Sequence, residues 1–415
     1  MSRAATPYPR YLAPRLREAL GDTPAVLIHG PRQSGKTTLA RAVGEPRGYR
    51  YVSFDDEAIR AAAMSDPVGF VNSLPARTIL DEVQRVPEIF TSLKAVIDQR
   101  RTPGRFILTG SANVLFVPKL ADSLAGRMGI LRLHPLAQCE IEARRPRFID
   151  TLFRGGFKTG IADRLGSGLA ERIVAGGYPA ALARRAAARR RAWYRDYVET
   201  QIQRDVRDLT RIHSLDALPK LLALAATQTA RLINVTDLTA PFELTRQTIH
   251  DYVTLLERVF LLERLPSWHT NRLSRLVKRP KLHVGDTGVA CSLLGIDGGG
   301  LDTDRPLLGS MLETFVLQEL RRQASWRPVP LDFFHFRDRD DFEVDIVLEQ
   351  GHSAVAGVEV KAAATVGDAD LRGLRKLRDA AGKRFVAGVV LYDGSATINF
   401  RDGLFAVPVR KLWET

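Results

Sequence analysis

Eight residues, Gly30-Pro31-Arg32-Gln33-Ser34-Gly35-Lys36-Thr37, constrain this chain more than any other segment. They fit the pattern G-x-x-x-x-G-K-[ST] and follow AVLIHG (Ala25 to Gly30), a short apolar run of the kind a buried parallel strand requires. The residues after them, TTLARAV, combine good helix formers with an apolar spacing suited to a helix. The chemistry explains the pattern. Gly30 and Gly35 let the backbone wrap phosphates, and the loop N–H groups and helix N-terminus bind their negative charge. Lys36 would set a cation against the β- and γ-phosphates, and the Thr37 hydroxyl would reach Mg²⁺. Pro31, Arg32, Gln33, Ser34 and Thr38 complete the expected nucleotide-binding loop, so ATP and Mg²⁺ are the expected cofactors.

A second match stands apart from the first. Arg77-Thr-Ile-Leu80 reads as another apolar strand, ending in Asp81-Glu82. At such a strand tip Asp81 would hold Mg²⁺ through water and Glu82 would orient or activate the attacking water. YRYVSFDD (Tyr49 to Asp56) reads as a further strand, PEIFTSLKAVIDQRR as an amphipathic helix, and GRFILTG (Gly104 to Gly110) and MGILRLHPL (Met128 to Leu136) as two more strands. The order fits an α/β sheet with helical crossovers. Thr109, Ser111 and Asn113 lie at the tip of the fourth strand, placed either to contact the γ-phosphate or lytic water or to serve as turn residues.

GPRQSGKTTL, LDEVQRVP, LTGSAN and SLAGRMGILRLHPL together resemble the prokaryotic AAA-superfamily ATPases that carry a C-terminal domain of unknown function. GGYP (Gly176 to Pro179), YVETQIQRDV (Tyr197 to Val206) and HVGDTG (His283 to Gly288) extend the resemblance over nearly the whole chain. It implies an AAA-type ATPase without naming a substrate. Such proteins often complete their site with an arginine from a neighbouring subunit, which makes Arg127 and Arg204 the finger candidates and a homo-oligomer the expected assembly. Structural salt bridges are the competing fate for both.

Composition bounds the remaining choices. The chain has 415 residues, 45% hydrophobic and 26% charged, which at about 150 residues per domain suggests roughly two to four globular domains. No run of about 18 uncharged apolar residues indicates a membrane span, and MSRAATPYPRYLAPR lacks the apolar stretch of a secretory signal. Cys139 and Cys291 are far apart with no metal-ligand neighbours, and read as reduced buried thiols of a cytoplasmic protein. The formal net charge of +14 favours a polyanionic partner, with DNA the expectation, although an arginine-rich composition produces the same charge without one.

From about Glu140 to His213 strands are hard to find and the composition turns Arg- and Ala-rich, which predicts a helical lid over residues 140–215, after a P-loop core over 1–139. Arg184, Arg185, Arg189, Arg190 and Arg191 form either a phosphate-contacting patch or a solvated helix face. Residues 216–280 look like a winged helix-turn-helix. Leu218 to Ala230 has helical apolar spacing, Thr245 suits an N-cap, and Ile249, Val253 and Leu256 fall at core spacing. Arg246, Gln247 and His250 would then face outward from the N-terminal half of a recognition helix, where base edges are read; inter-domain packing is the alternative use of such a module.

Residues 281–415 hold a second constellation. Asp341 to Glu349 alternates like a half-buried strand, Gln350-Gly351-His352 reads as a turn, and Ser353 to Lys361 returns as a strand. Glu359 and Lys361 are two apart and share a face, and the hairpin brings Asp345 towards them. The arrangement resembles a PD-(D/E)xK nuclease core, in which Asp345 and Glu359 would hold a divalent metal (Mg²⁺ or Mn²⁺) and Lys361 would assist the attacking water. Glu313, on the helix before it, would either reach that metal or lie on the helix surface. The expected fold class is therefore α/β: a P-loop AAA-type parallel sheet with helical lid, a winged-helix module, and a C-terminal α/β restriction-nuclease-like domain. The leading functional expectation is an ATP-hydrolysing protein that acts on DNA; a nucleotide-controlled switch and a protein remodeller without nuclease activity are the alternatives.

Overall fold

The computed structural model describes residues 8–110, 126–203, 216–234, 238–239, 242, 244–271, 273, 275 and 278–414. The chain divides into two compact units. One comprises residues 1–136 with 258–260 and 325–328, and the other residues 137–257, 261–324 and 329–415.

The first unit is built on five parallel strands: β1 (Ala25–His29), β2 (Arg50–Ser53), β3 (Thr78–Asp81), β4 (Phe106–Gly110) and β5 (Met128–Arg132). Their order is β2-β3-β4-β1-β5. All five strands expected from the sequence are present. The three central strands are buried along their whole length, while β2 and β5 at the edges are partly exposed, which is why only the middle strands read as unbroken apolar runs. Helices cover both faces. Ile89–Gln99 packs Phe90, Leu93 and Ile97 against Leu27, Leu80 and Leu108 on one side. On the other, Lys36–Gly44 sets Leu39, Ala40 and Val43 beside Val26, Ile28 and Ile107. In this order β1 is flanked by β4 and β5, so the loop leaving β1 opens at the point where the connections diverge, the usual ligand position in open α/β sheets.

The second unit contains two sheets. The smaller has three antiparallel strands, β7 (Arg231–Leu232), β8 (Leu262–Leu265) and β9 (Lys281–Val284), in the order β7-β9-β8. It accompanies the helices Ala217–Thr227 and Arg246–Arg258. The larger has the order β10-β11-β12-β13-β15-β14-β6. Its strands are β6 (Gly160–Ile161), β10 (Asp332–Arg337), β11 (Glu343–Gln350), β12 (Ala354–Lys361), β13 (Phe385–Tyr392), β14 (Ala396–Asn399) and β15 (Leu404–Pro408). β10, β11 and β12 run antiparallel, then β12, β13 and β15 parallel. The helix Arg372–Ala381 provides the crossover, packing Leu374 and Leu377 on Val344, Val347 and Val390.

One element departs from the sequence expectation. Strands are hard to find in the sequence between about Glu140 and His213, yet β6 pairs with β14 through Ile161↔Ala396 and Gly160↔Thr397. Two residues carry no readable alternation, and the pairing is decided by a partner more than 200 positions away.

Two of the family-like segments explain each other. Asp286 of HVGDTG caps the helix Thr287–Leu294 by accepting from Gly288 N at 2.9 Å, and accepts from Gly177 N of GGYP at 2.9 Å. Arg322 of the helix Arg305–Ser325 donates to Asp286 at 3.0 Å and to Glu319 at 3.0 Å, all three side chains being buried. Tyr194 lies so close to Gly288 that a Cβ there would overlap its ring. These bonds tie GGYP, HVGDTG and the helix Arg305–Ser325 to one another. Cys139 and Cys291 are free and buried, and burial raises both thiols, Cys291 up to about 12.

Candidate functional site

The C-terminal ends of β1, β3 and β4 converge in the first unit. After His29 the chain turns at Gly30, whose φ of 147° and approach to the Leu133 carbonyl leave no room for a Cβ. Gln33 (φ 61°) and Gly35 (φ 95°) take left-handed conformations before the helix Lys36–Gly44 begins. Gln33 shows that the loop uses a left-handed position the motif does not reserve for glycine. Ser34 is fully buried in the loop, with its hydroxyl unpartnered. Lys36 is buried and donates to the Gly30 and Pro31 carbonyls at 3.0 and 2.9 Å, which folds the ammonium back over the loop.

Asp81 is the centre of a hydroxyl cluster. Thr37 Oγ1 lies 2.9 and 3.1 Å from its two carboxylate oxygens, Tyr51 donates to Oδ2 at 2.7 Å, and the Thr109 hydroxyl donates to Oδ1. Burial and the Asp81 hydrogen bond push the Tyr51 phenol up to about 12, so it stays a donor. Tyr51 was missed in the sequence. Its signal was position: β2 pairs with β3 in the register Tyr51↔Ile79, Ser53↔Asp81, so the phenol of a residue two before the strand end can reach back to Asp81. Glu82 follows Asp81 with φ 58°, its N–H directed at Thr109 Oγ1 (3.3 Å) and its carboxylate accepting from the Gln84 amide. The Thr37–Asp81 pair is the donor set that a loop-bound Mg²⁺ requires: one hydroxyl and one carboxylate side by side at strand tips.

His29 sits under the loop. Burial, then Arg132 and Lys36, push its pKa down to about 3, so the imidazole is neutral. Arg127 forms a two-pronged pair with Asp98, at 2.5 and 2.9 Å, within the same unit. Ser111, Asn113 and Arg204 lie outside the described residues.

In the second unit, Arg246, Gln247 and His250 are exposed on the first turns of the helix Arg246–Arg258, with Ile249, Val253 and Leu256 buried beneath. Thr245 caps this helix, its hydroxyl accepting from Thr248 N at 3.1 Å.

The C-terminal constellation also assembles. Glu313, Glu343, Asp345, Glu359 and Lys361 line one cavity of about 890 Å³. A residue the sequence reading did not select, Lys281 of β9, enters the cluster. Its ammonium lies 2.8 Å from Glu313, 2.5 Å from Glu343 and 3.1 Å from Asp345, and the residue is 3% exposed. Asp345 Oδ2 accepts from Val360 N at 2.9 Å, and Lys361 pairs with Glu359 at 2.9 Å. Burial, then Asp345, push the Glu359 carboxyl up to about 8, against the pull of Lys361. Burial raises Glu313 as well. A divalent metal does not fit this arrangement. Of the four acids of this cluster, only Glu359 keeps a buried carboxylate oxygen without a partner, and Lys281 stands among the other three. Among the described residues no three His, Cys, Asp or Glu side chains are grouped to hold a metal ion.

Residues 22–142 match the family described as an AAA domain, and residues 166–299 and 308–412 match domains of unknown function (DUF8612 and DUF4143). The chain is 29% identical over 409 residues to an uncharacterised protein of Mycobacterium tuberculosis and to one of Mycobacterium bovis, covering 98% of this chain and 85% of each relative. Among solved structures it is similar to a Walker-type ATPase of Pyrococcus abyssi (14% identity, TM-score 0.42, covering 70% of this chain and 99% of that one). It is also similar to the RuvB Holliday junction branch migration motor of Thermotoga maritima (18% identity, TM-score 0.29, covering 61% and 89%). No helix among the described residues is long and apolar enough to cross a membrane. Residues 22–142, which match the AAA-domain family, are the part of the chain that carries the P-loop and the five-stranded parallel sheet.

Proposed function

We propose that this protein hydrolyses ATP at the P-loop and uses the hydrolysis to control its engagement with DNA. The observation that carries the first half is the convergence of Lys36, Thr37, Asp81, Glu82 and Thr109 at three adjacent strand ends. Mg²⁺-ATP, when bound, supplies the scissile phosphoanhydride and neutralises its charge. Gly30 to Thr38 hold the phosphates, with Lys36 released from the Gly30 and Pro31 carbonyls to meet them. Thr37 and Asp81 hold the metal side of the nucleotide, and Glu82 orients water, the Gln84 amide fixing its carboxylate and Thr109 its backbone. Glu82→Gln should retain ATP binding while turnover falls at least ~10²-fold, the usual scale for a positioned base. Retained turnover in that variant would remove Glu82 from this role, and retained ATP affinity in Lys36→Ala would remove the loop.

The second half rests on the module over residues 216–280, to whose strands β9 (Lys281–Val284) adds a third beyond that bound. Its order of helix, strand, helix, strand and strand, with sheet order β7-β9-β8, supports the winged-helix reading, and Arg246, Gln247 and His250 are exposed where a recognition helix reads bases. The C-terminal layout supports a nuclease-like fold: a long helix, an antiparallel β10-β11-β12 meander, a crossover helix and parallel β13. Cleavage is not part of the proposal, because the acid cluster does not fit a metal. The nucleotide-controlled switch is therefore favoured over the nuclease. Turnover with and without duplex DNA tests it. Indifference of turnover to DNA, with no DNA bound in either nucleotide state, would overturn the DNA half and leave a protein partner.

A further inference from the structure

We propose that Lys281 is a tethered cation that takes the place of a divalent metal in the C-terminal acid cluster, locking the three-stranded module to the larger sheet. The inference goes beyond the ATPase and DNA reading and does not depend on it.

The geometry is that of a filled site. Lys281 donates to Glu313 on the helix Arg305–Ser325 and to Asp345 on β11, and forms an ion pair with Glu343 on β11, so its ammonium meets carboxylates from two elements. The remaining Asp345 oxygen is taken by Val360 N of β12. Glu359, the other acid of the cluster, is paired with Lys361. The cluster thus brings two cations to four carboxylates without an added ion.

Lys281 is also held from behind. β9 is the middle strand of its sheet, bonded to β7 through Leu232↔Lys281 and to β8 through Leu265↔Lys281. The Cα is therefore fixed by pairing on both sides, and the side chain reaches the cluster without free rotation of the strand. His335 of β10 lines up beside this junction, with its Nε2 against the Arg279 carbonyl at 3.1 Å and Ser267 bridged to it. A tethered ammonium in such a socket is effectively at high local concentration, and a metal ion would have to displace it together with two charge-assisted hydrogen bonds and a further ion pair. Removing it leaves the Glu313, Glu343 and Asp345 carboxylates, each within 3.1 Å of the ammonium position, without the cation that balances them, so a small divalent cation gains a reason to enter that the wild type lacks.

The test is Mn²⁺ binding by the nucleotide-free full-length protein, followed by water-proton relaxation, in wild type, Lys281→Ala and Lys281→Arg, each with and without Asp345→Asn. ATP turnover serves as a check that the first unit is intact. The expected result is that wild type has no Mn²⁺ binding that Asp345→Asn removes. Lys281→Ala should gain such a site, at least tenfold tighter than any Mn²⁺ binding by wild type, and Lys281→Arg should not. An Asp345-dependent Mn²⁺ site in wild type, as tight as in Lys281→Ala, would overturn the proposal. So would the absence of any gained site in a folded Lys281→Ala, since the lysine would then not be what excludes the metal. If Lys281→Ala does not fold, wild type and Lys281→Arg decide: both free of Asp345-dependent Mn²⁺ supports the tethered cation, and such a site in either refutes it.

Discussion

Asp81 accepts from Thr37, Tyr51 and Thr109, three hydroxyls drawn from three different elements, so the orientation of one carboxylate reports on the whole strand-end constellation. Residues of this kind are positioned by the sheet and not by their neighbours in sequence. His29 is a second example, and it gives a pH dependence. Its imidazole is held neutral, with a pKa near 3, by burial and by Arg132 and Lys36, against an ordinary value of 6.5. Between these values the unfolded chain binds a proton that the folded chain does not, so stability is full above pH 6.5 and is lost as pH falls towards 3. One such group lowers stability by about 2 kcal/mol between pH 7 and pH 5. His29→Asn should flatten that part of the pH profile in urea unfolding of the P-loop unit; an unchanged slope would mean the proton uptake lies elsewhere, with His283 and His335, also pushed down by burial, as the next to examine.

At the level of elements, close approach of backbones decides what the sequence tolerates. Gly373 opens the crossover helix Arg372–Ala381 directly over the Glu343 carbonyl at the start of β11, where a Cβ would overlap that oxygen. Gly373→Ala should therefore destabilise the C-terminal unit by about 1–3 kcal/mol, the range for overpacking, and lift the helix from the acid cluster it borders. Thermal unfolding of that unit measures it, and a neutral effect would show that the helix shifts without cost. Elements that rest on local pattern match the sequence reading in type, with ends shifted by about two residues or fewer: the helix after the P-loop, the helix Ile89–Gln99, and the hairpin β11–β12 with Gly351 at φ 58° in its turn. β6 does not, because a two-residue strand acquires its identity only from β14.

For the whole molecule, the net charge of +14 is the property that links the proposed DNA role to a measurement. If exposed cations such as Arg246 contact phosphates, affinity falls with salt as counterions are reabsorbed. About four such contacts correspond to a loss of roughly 10²-fold between 50 and 200 mM salt. Fluorescence anisotropy of a labelled duplex over that range should show it, and Arg246→Ala should make the dependence shallower. Salt-independent binding would count against phosphate contacts and return the surplus charge to composition alone.

The nucleotide loop, the Asp81-Glu82 strand tip and the five-strand order of elements were legible in the sequence, because a phosphate-binding loop imposes residue type and spacing over a few consecutive positions. Asp345, Glu359 and Lys361 were legible as well, since a hairpin with a two-residue period brings them to one face. Lys281 was not. A lysine and a histidine two apart in the otherwise apolar strand KLHV were the one available signal, and nothing local says which acids a buried lysine meets. That partner set, like the Tyr51–Asp81 contact and the joint between Gly177, Asp286 and Arg322, is made of contacts between residues 30 to 109 positions apart. Local spacing fixes what an element can be, whereas the charge that balances a buried carboxylate is set by whichever elements the tertiary fold packs against it.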